Sequence, residues 1–119
     1  MNFKFKAENS LEERKRNSES LLQQFDDKIP LVCEKDPKSK MESLPKTKFL
    51  VPNTMMWSQL SELIKNKIKL DNREALFLLI EGKHQVSGEK TLGEIYEAYK
   101  EEDGFLYVSY AGQLSWGMK

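Results

Sequence analysis

KFLVPNTMMWSQLSELIKNKIKLDNREALFLLIEGK, residues 48–83, decides the fold. Within it Trp57, Leu60, Leu63, Ile64 and Ile68 recur at helical spacing, so a helix over NTMMWSQLSELIKNKIKL has one apolar face. Asn53, Thr54 and Ser58 compete for its N-cap. Before it, KFLVP is a short strand stopped by Pro52. After it, EALFLLIEGK is a dense apolar strand bounded by Gly82. A helix flanked in this way buries its apolar stripe by lying across a sheet.

Upstream, NSLEERKRNSESLLQQF opens with Ser10 and has Glu13 three positions on, the reciprocal pair that satisfies free N–H groups at a helix start. Leu11, Ser18, Leu21, Leu22 and Phe25 then fall on one face, and a shorter helical turn in FKFKAE precedes them. KIPLVCEK alternates Ile29, Leu31 and Cys33 with Pro30, Val32 and Glu34, the period of a strand with two unlike faces. Pro30 cannot donate to a ladder, so its missing N–H belongs away from a partner strand or at the strand's start. The polar DPKSKMESLPK joins this strand to KFLVP as a long hairpin. Downstream, Thr91 and Glu94 form a second capping pair for TLGEIYEAYK, whose Ile95 and Tyr99 face inward, and FLYVSY closes the sheet. The order helix, helix, strand, strand, long helix, strand, short helix, strand makes a small mixed sheet with a helix across one face: the α+β class.

The 119 residues fit one core. Nineteen basic and nineteen acidic side chains cancel, so no global charge marks a nucleic-acid or anionic-membrane binder, and electrostatic recognition must be local. Cys33 is alone, which excludes an internal disulfide and fits a reducing, cytoplasmic setting. No apolar run approaches the ~20 residues of a membrane span, and MNFKFKAENS lacks the apolar middle of a secretory signal. His84 is the sole histidine and lies far in sequence from Cys33, so the chain shows neither a Cys-His nucleophile nor a cluster at metal-ligand spacing. No catalytic residue, metal or cofactor is expected.

KFLVP borders a polar loop and reads as an edge strand, whose open backbone groups are a liability unless blunted or used. Lys46 and Lys48 blunt it against self-pairing and attract an acidic partner. Alternation sends Lys48 and Leu50 to one side and Phe49 and Val51 to the other. The chain ends SYAGQLSWGMK, and taken alone such an end is ordinary fraying.

EKDPKSK, KFLVP, QLSELIKNKIKL, EALFLLIEGK and EEDGFLYVSY, followed by an aromatic residue and a glycine, occur in the order and spacing of a known family. On them the chain resembles the autophagy ubiquitin-like modifiers: GABARAP, microtubule-associated light chain three and autophagy-related protein eight. The resemblance implies a ubiquitin-like β-grasp with two additional N-terminal helices. It divides the chain into a helical extension at 1–26 packed on the core, a β-grasp core at 27–110, and a flexible tail at 111–119. It implies no enzyme activity. Instead a maturation cysteine protease cuts after Gly117, and activating and conjugating enzymes of the ubiquitin-like pathway join that glycine to phosphatidylethanolamine. Trp116 is the adjacent recognition residue, standing where Phe or Tyr is usual, and Leu114 stands where a polar residue is common. A glycine suits this role because a carbonyl that enters narrow active sites, first as an amide and then as a thioester, is least hindered without a Cβ.

The resemblance further implies docking of peptides with an acidic aromatic-x-x-aliphatic motif, carried by cargo receptors and autophagy factors, as an added strand. The aromatic side chain would enter a first pocket of Leu21, Pro30, Val32, Lys48, Leu50 and Phe105. The aliphatic would enter a second, of Phe49, Val51, Pro52, Met55, Leu60, Leu63 and Ile64. Lys28, Lys46 and Lys67, with Lys48, would meet the acids. A single peptide should bind at about 1 μM, roughly −8 kcal/mol. The implied setting is a cytoplasmic monomer that moves to autophagosome and related vesicle membranes on lipidation. In its basic N-terminal run acids balance bases, which argues against microtubule binding. The alternative reading is an unlipidated ubiquitin-like adaptor in vesicle or receptor traffic.

Overall fold

In the computed structural model, which describes residues 1–70 and 74–112, the elements follow the sequence-predicted order. They are α1 (Lys4–Glu8), α2 (Leu11–Gln24), β1 (Lys28–Lys35), β2 (Lys48–Pro52), α3 (Trp57–Lys67), β3 (Phe77–Ile80), α4 (Leu92–Tyr99) and β4 (Leu106–Ala111). The four strands form one sheet in the order β2-β1-β4-β3. β1 pairs antiparallel with β2 and parallel with β4, and β3 pairs antiparallel with β4. The last strand in sequence is therefore interior to the sheet, which explains why every residue from Leu106 to Ala111 is buried.

Two of the helix starts are written locally. Ser10 Oγ accepts from the Glu13 N–H at 3.1 Å while the Ser10 N–H donates to Glu13 Oε1 at 2.8 Å. Thr91 and Glu94 repeat the arrangement at α4. The start of α3 corrects the sequence expectation, because its N-cap is Met56 and not Asn53, Thr54 or Ser58. Its free donors are taken by a distant loop: the N–H groups of Trp57 and Ser58 donate to the carbonyls of Lys90 and Gly88 at 2.9 and 3.1 Å. Gln59 Oε1 accepts from the Met56 N–H at 2.8 Å. With its first turn satisfied from outside, the helix needs no Ser, Thr or Asn at the cap.

Both faces of the sheet are covered. The main core lies between the sheet and helices α3 and α4, where Ile29, Leu31, Cys33 and Val51 meet Leu60, Ile64, Leu92 and Ile95. On the opposite face, under α1 and α2, a smaller cluster joins Phe3, Val32, Phe105 and Tyr107, with Phe5 and Leu21 packed against it. Phe3 meets Tyr107, and Phe5 meets Phe105, in edge-on ring contacts at 5.0 Å. The alternation of β1 thus separates two cores, and six consecutive residues, Ile29 to Glu34, are buried. Glu34 is tolerated there because its carboxylate accepts the N–H groups of Lys4 and Phe5 at 2.8 and 3.0 Å. Leu11, read as part of the inward face of α2, is exposed, whereas Ser18 on that face is buried.

Candidate functional site

β2 has β1 on one side, and no described strand pairs with the other. The register settles which of its backbone groups face outward. The Cys33 N–H donates to the Thr47 carbonyl at 2.8 Å, and the Asn53 N–H donates to the Asp27 carbonyl at 2.9 Å. These contacts flank a ladder in which Leu31 lies opposite Phe49 and Ile29 opposite Val51. In an antiparallel pair the hydrogen-bonded positions alternate, so Phe49 and Val51 turn their N–H and C=O groups to β1. Lys48 and Leu50 turn theirs away from the sheet. Pro52 shares their parity, so its missing N–H costs the ladder nothing. The far edge differs: Ile80 of β3 is closed by its own hairpin, exchanging both backbone bonds with His84.

Pro30, opposite Leu50, occupies a position in β1 that needs no bond to β2. Its other side faces β4 one residue before the first paired position, Leu31 with Leu106, so no ladder bond is lost there either. This agrees with the sequence expectation for a strand proline.

The register sorts the side chains as well. Pro30 with Leu50 and Val32 with Lys48 are cross-strand pairs on the α2 face. Val32 and Phe105 belong to the cluster under α1 and α2, and Leu21 packs on it. The six residues expected in the first pocket therefore share one face of the sheet. Val32 and Phe105 are fully buried, whereas Leu21, Lys48 and Leu50 are half-buried. On the other face Phe49 and Val51 meet α3, with Phe49, Met55 and Leu63 packed half-buried against the main core. Val51, Leu60 and Ile64 are closed core positions. Pro52 is exposed and pairs with Lys28, so its parity places it with Leu50 rather than with Val51.

Lys28, Lys46, Lys48 and Lys67 surround this edge, and among the described residues none is in an ion pair. Lys48 Nζ lies 3.5 Å from Asn17 Oδ1 of α2. Lys28 Nζ stands 5.4 Å from the Phe25 ring centroid, and Lys67 Nζ stands 5.7 Å from that of Phe49. Lys67 so lies over an aromatic residue of one face while Lys48 reaches a helix on the other. Four cations with no carboxylate partner among the described residues, around this edge strand, give it a local positive field on a chain of zero net charge.

Sequence reasoning missed the group that fastens α2. Asp103, buried at the turn before β4, accepts from Arg14 Nη1 at 2.6 Å, from the Tyr107 hydroxyl at 2.5 Å and from the Phe105 N–H at 2.9 Å. The Ser18 hydroxyl donates to the Asp103 carbonyl at 2.5 Å. The only local signal was the Asp103-Gly104 doublet, a turn signature that carries no information about α2.

Gly117, Trp116 and Leu114 lie outside the described residues, the last of which is Gly112, just past the end of β4.

A mixed sheet of this order, crossed by α3 and carrying one open edge, defines a ubiquitin-like protein. The family model described as "Autophagy protein Atg8 ubiquitin like" matches residues 13–117. The Autophagy-related protein 8 of Cochliobolus heterostrophus is 37% identical over 117 residues, covering 98% of each chain. That of Neurospora crassa is 37% identical over 117 residues, covering 98% of this chain and 96% of its own. The crystal structure of Trypanosoma brucei ATG8 superposes with a TM-score of 0.89 at 29% identity, covering 98% of this chain and 100% of the other. The chain belongs to the Atg8 family of ubiquitin-like autophagy proteins. Among the described residues no helix is long and apolar enough to cross a membrane.

Proposed function

We propose that this protein is a non-enzymatic modifier of autophagy that docks acidic aromatic-x-x-aliphatic peptides on the outer edge of β2. The observation that carries the reading is the pair of outward-turned backbones at Lys48 and Leu50, ringed by lysines that have no carboxylate partner among the described residues. An extended peptide adds there as a further strand. Its aromatic side chain goes to the α2 face over Val32 and Phe105, its aliphatic to the α3 face over Phe49 and Leu63, and its acids to Lys28, Lys46, Lys48 and Lys67. The partners are cargo receptors and autophagy factors carrying such motifs.

Membrane attachment enters through the C-terminus. A cysteine protease removes Met118 and Lys119, the activating and conjugating enzymes carry the new Gly117 carboxylate as a thioester, and phosphatidylethanolamine accepts it. The acyl chains then supply the membrane affinity, at ~0.8 kcal/mol per buried CH₂, that no apolar segment of this chain supplies. The protein thus shuttles between cytoplasm and autophagosomal or related vesicle membranes. The test is a Gly117→Ala precursor, which should stay diffuse in starved cells and keep its last two residues by mass. Puncta and lipid gain in that variant would refute conjugation. Trp116 and Leu114 favour the alternative of an unlipidated adaptor, and wild-type chain that keeps its full mass after incubation with the protease would select that alternative.

A further inference from the structure

We propose that the Asp103–Gly104 turn is a clamp that fixes the height of α2 above the sheet, and so sets the wall against which the partner's aromatic side chain docks. The inference rests on the peptide-docking reading and deepens it. Arg14, Ser18 and Leu21 are successive residues along one face of α2. Arg14 is bound to the Asp103 carboxylate and Ser18 to its carbonyl. Gly104 has φ +87°, a conformation favouring glycine, and a Cβ built on it would overlap Ser18 Oγ and lie 3.0 Å from Ser18 Cβ. The helix therefore touches the turn with no room for a methyl group. The turn is itself held from elsewhere: the Tyr96 hydroxyl of α4 donates to the Gly104 carbonyl at 2.7 Å, and Tyr107 and Phe105 of the last strand region hold the Asp103 carboxylate.

Leu21 lies three residues beyond Ser18, about 4.5 Å along the axis, and packs against the cluster that contains Val32 and Phe105. Asn17, beside Ser18, reaches Lys48 across the groove. A helix is stiff over one turn, so a shift imposed at Ser18 is passed to Leu21 and to Asn17. Arg14, Ser18, Asp103 and Gly104 are thus positioning residues for the first pocket, although none of them lines it. The second pocket, on the opposite face between Phe49 and α3, does not involve α2.

The experiment titrates wild type, Gly104→Ala and the Ser18→Gly/Gly104→Ala pair by calorimetry with two peptides, with thermal unfolding in parallel. One peptide is an acidic aromatic-x-x-aliphatic sequence; the other has alanine for its aromatic residue. Both variants keep the strained φ, whereas Ser18→Gly relieves the overlap and gives up the bond to Asp103. The clamp requires that Gly104→Ala weaken the aromatic peptide by about tenfold and the alanine peptide by less than about twofold. It requires that the pair recover part but not all of the aromatic peptide's affinity, because the overlap is relieved while the Ser18 bond to Asp103 is lost. An equal loss for both peptides, or no loss, overturns the clamp while leaving the docking reading intact. Wild type that binds neither peptide, or does not distinguish them, refutes the docking reading itself and the clamp with it. Arg14→Gln leaves Gly104 untouched and must show the same selectivity, which keeps the test decisive if Gly104→Ala does not fold.

Discussion

Leu50 lies opposite Pro30 in the antiparallel pair of β1 and β2, at a position where neither residue owes a backbone bond to the other. Leu50 therefore supplies its N–H and C=O to the outside of the sheet, while its neighbour Phe49 supplies both to Leu31. Adjacent residues of one short strand thus have opposite tasks, one building the fold and one left for a partner.

This makes proline a directional probe. Leu50→Pro removes a donor that the fold does not use, so it should cost little more stability than Leu50→Ala. Phe49→Pro removes a ladder bond and a packed ring together, and should cost at least about 3 kcal/mol. In peptide binding, Leu50→Pro should lose clearly more than Leu50→Ala, because only the former also deletes the added strand's hydrogen bond. Denaturant unfolding and calorimetry on the same preparations read both effects. A stability loss at Leu50→Pro as large as that at Phe49→Pro would show the register to be wrong.

Charge gives a second probe of the same edge. Lys48→Glu combined with Leu50→Ala should weaken an acidic aromatic-x-x-aliphatic peptide by about a hundredfold without changing the circular dichroism. Wild-type affinity should fall as salt is raised from ~0.05 to ~0.5 M, since the rim lysines act through a screened field. The double variant should lose most of that dependence. Binding that is indifferent to both the substitutions and the salt would place the peptide elsewhere.

How far these features were legible depends on how local their causes are. Ser10 with Glu13, and Thr91 with Glu94, are satisfied within one helical turn, and their spacing revealed both helix starts. Met56 was missed because the donors of α3 are satisfied by Gly88 and Lys90, some thirty positions downstream. The edge character of β2 was legible from its short length and the polar loop beside it. The outward direction of Lys48 and Leu50 was not, because it depends on the pairing of Cys33 with Thr47. The shared side of Lys48 and Leu50 was legible from strand alternation, but sequence pattern could not show that Val32 and Phe105, the proposed floor of the first pocket, are fully buried. That follows from Phe3, Phe5 and Tyr107, which α1 and the sheet bring together.

A carboxyl pair sets a pH dependence away from the docking edge. Glu81 is pushed up to about 7, chiefly by hydrogen bonding to Glu101, with burial and the Glu101 charge adding to it; Lys6 and Lys83 pull the other way. Glu101 is lowered, chiefly by that same bond, and Lys6 Nζ lies 2.9 Å from its Oε1. For Glu81 the folded state holds the proton more tightly than the unfolded chain, so its contribution is present on the acid side and is lost as pH rises through 7. Glu101 has the opposite sign and loses its contribution as pH falls below the ordinary glutamate range, about 4.3. Carboxyl-resolved NMR titration should find the Glu81 midpoint near 7 and move it down toward the ordinary range in Glu101→Ala. A wild-type midpoint within that range would contradict the pairing.

Cys33 offers a last test, this time of the main core. Its side chain is fully buried among the residues that join β1 to the sheet's α3 face, and burial raises its thiol well above the ordinary range, with the Glu34 charge adding to it. Thiolate is the reactive form, so the native protein should resist a thiol reagent at pH 8. Labelling should then proceed only through opening, and its rate should follow the global unfolding equilibrium as denaturant is added. Cys33→Ser places a hydroxyl where the chain supplies a weakly polar sulfur, and should cost about 1–3 kcal/mol. Cys33→Ala leaves a small cavity and no orphaned donor, so it should cost less. Rapid stoichiometric labelling of native protein would mean that β1 is not sealed between its two cores, and the floor proposed for the first pocket, which is the other face of the same strand, would have to be abandoned as well.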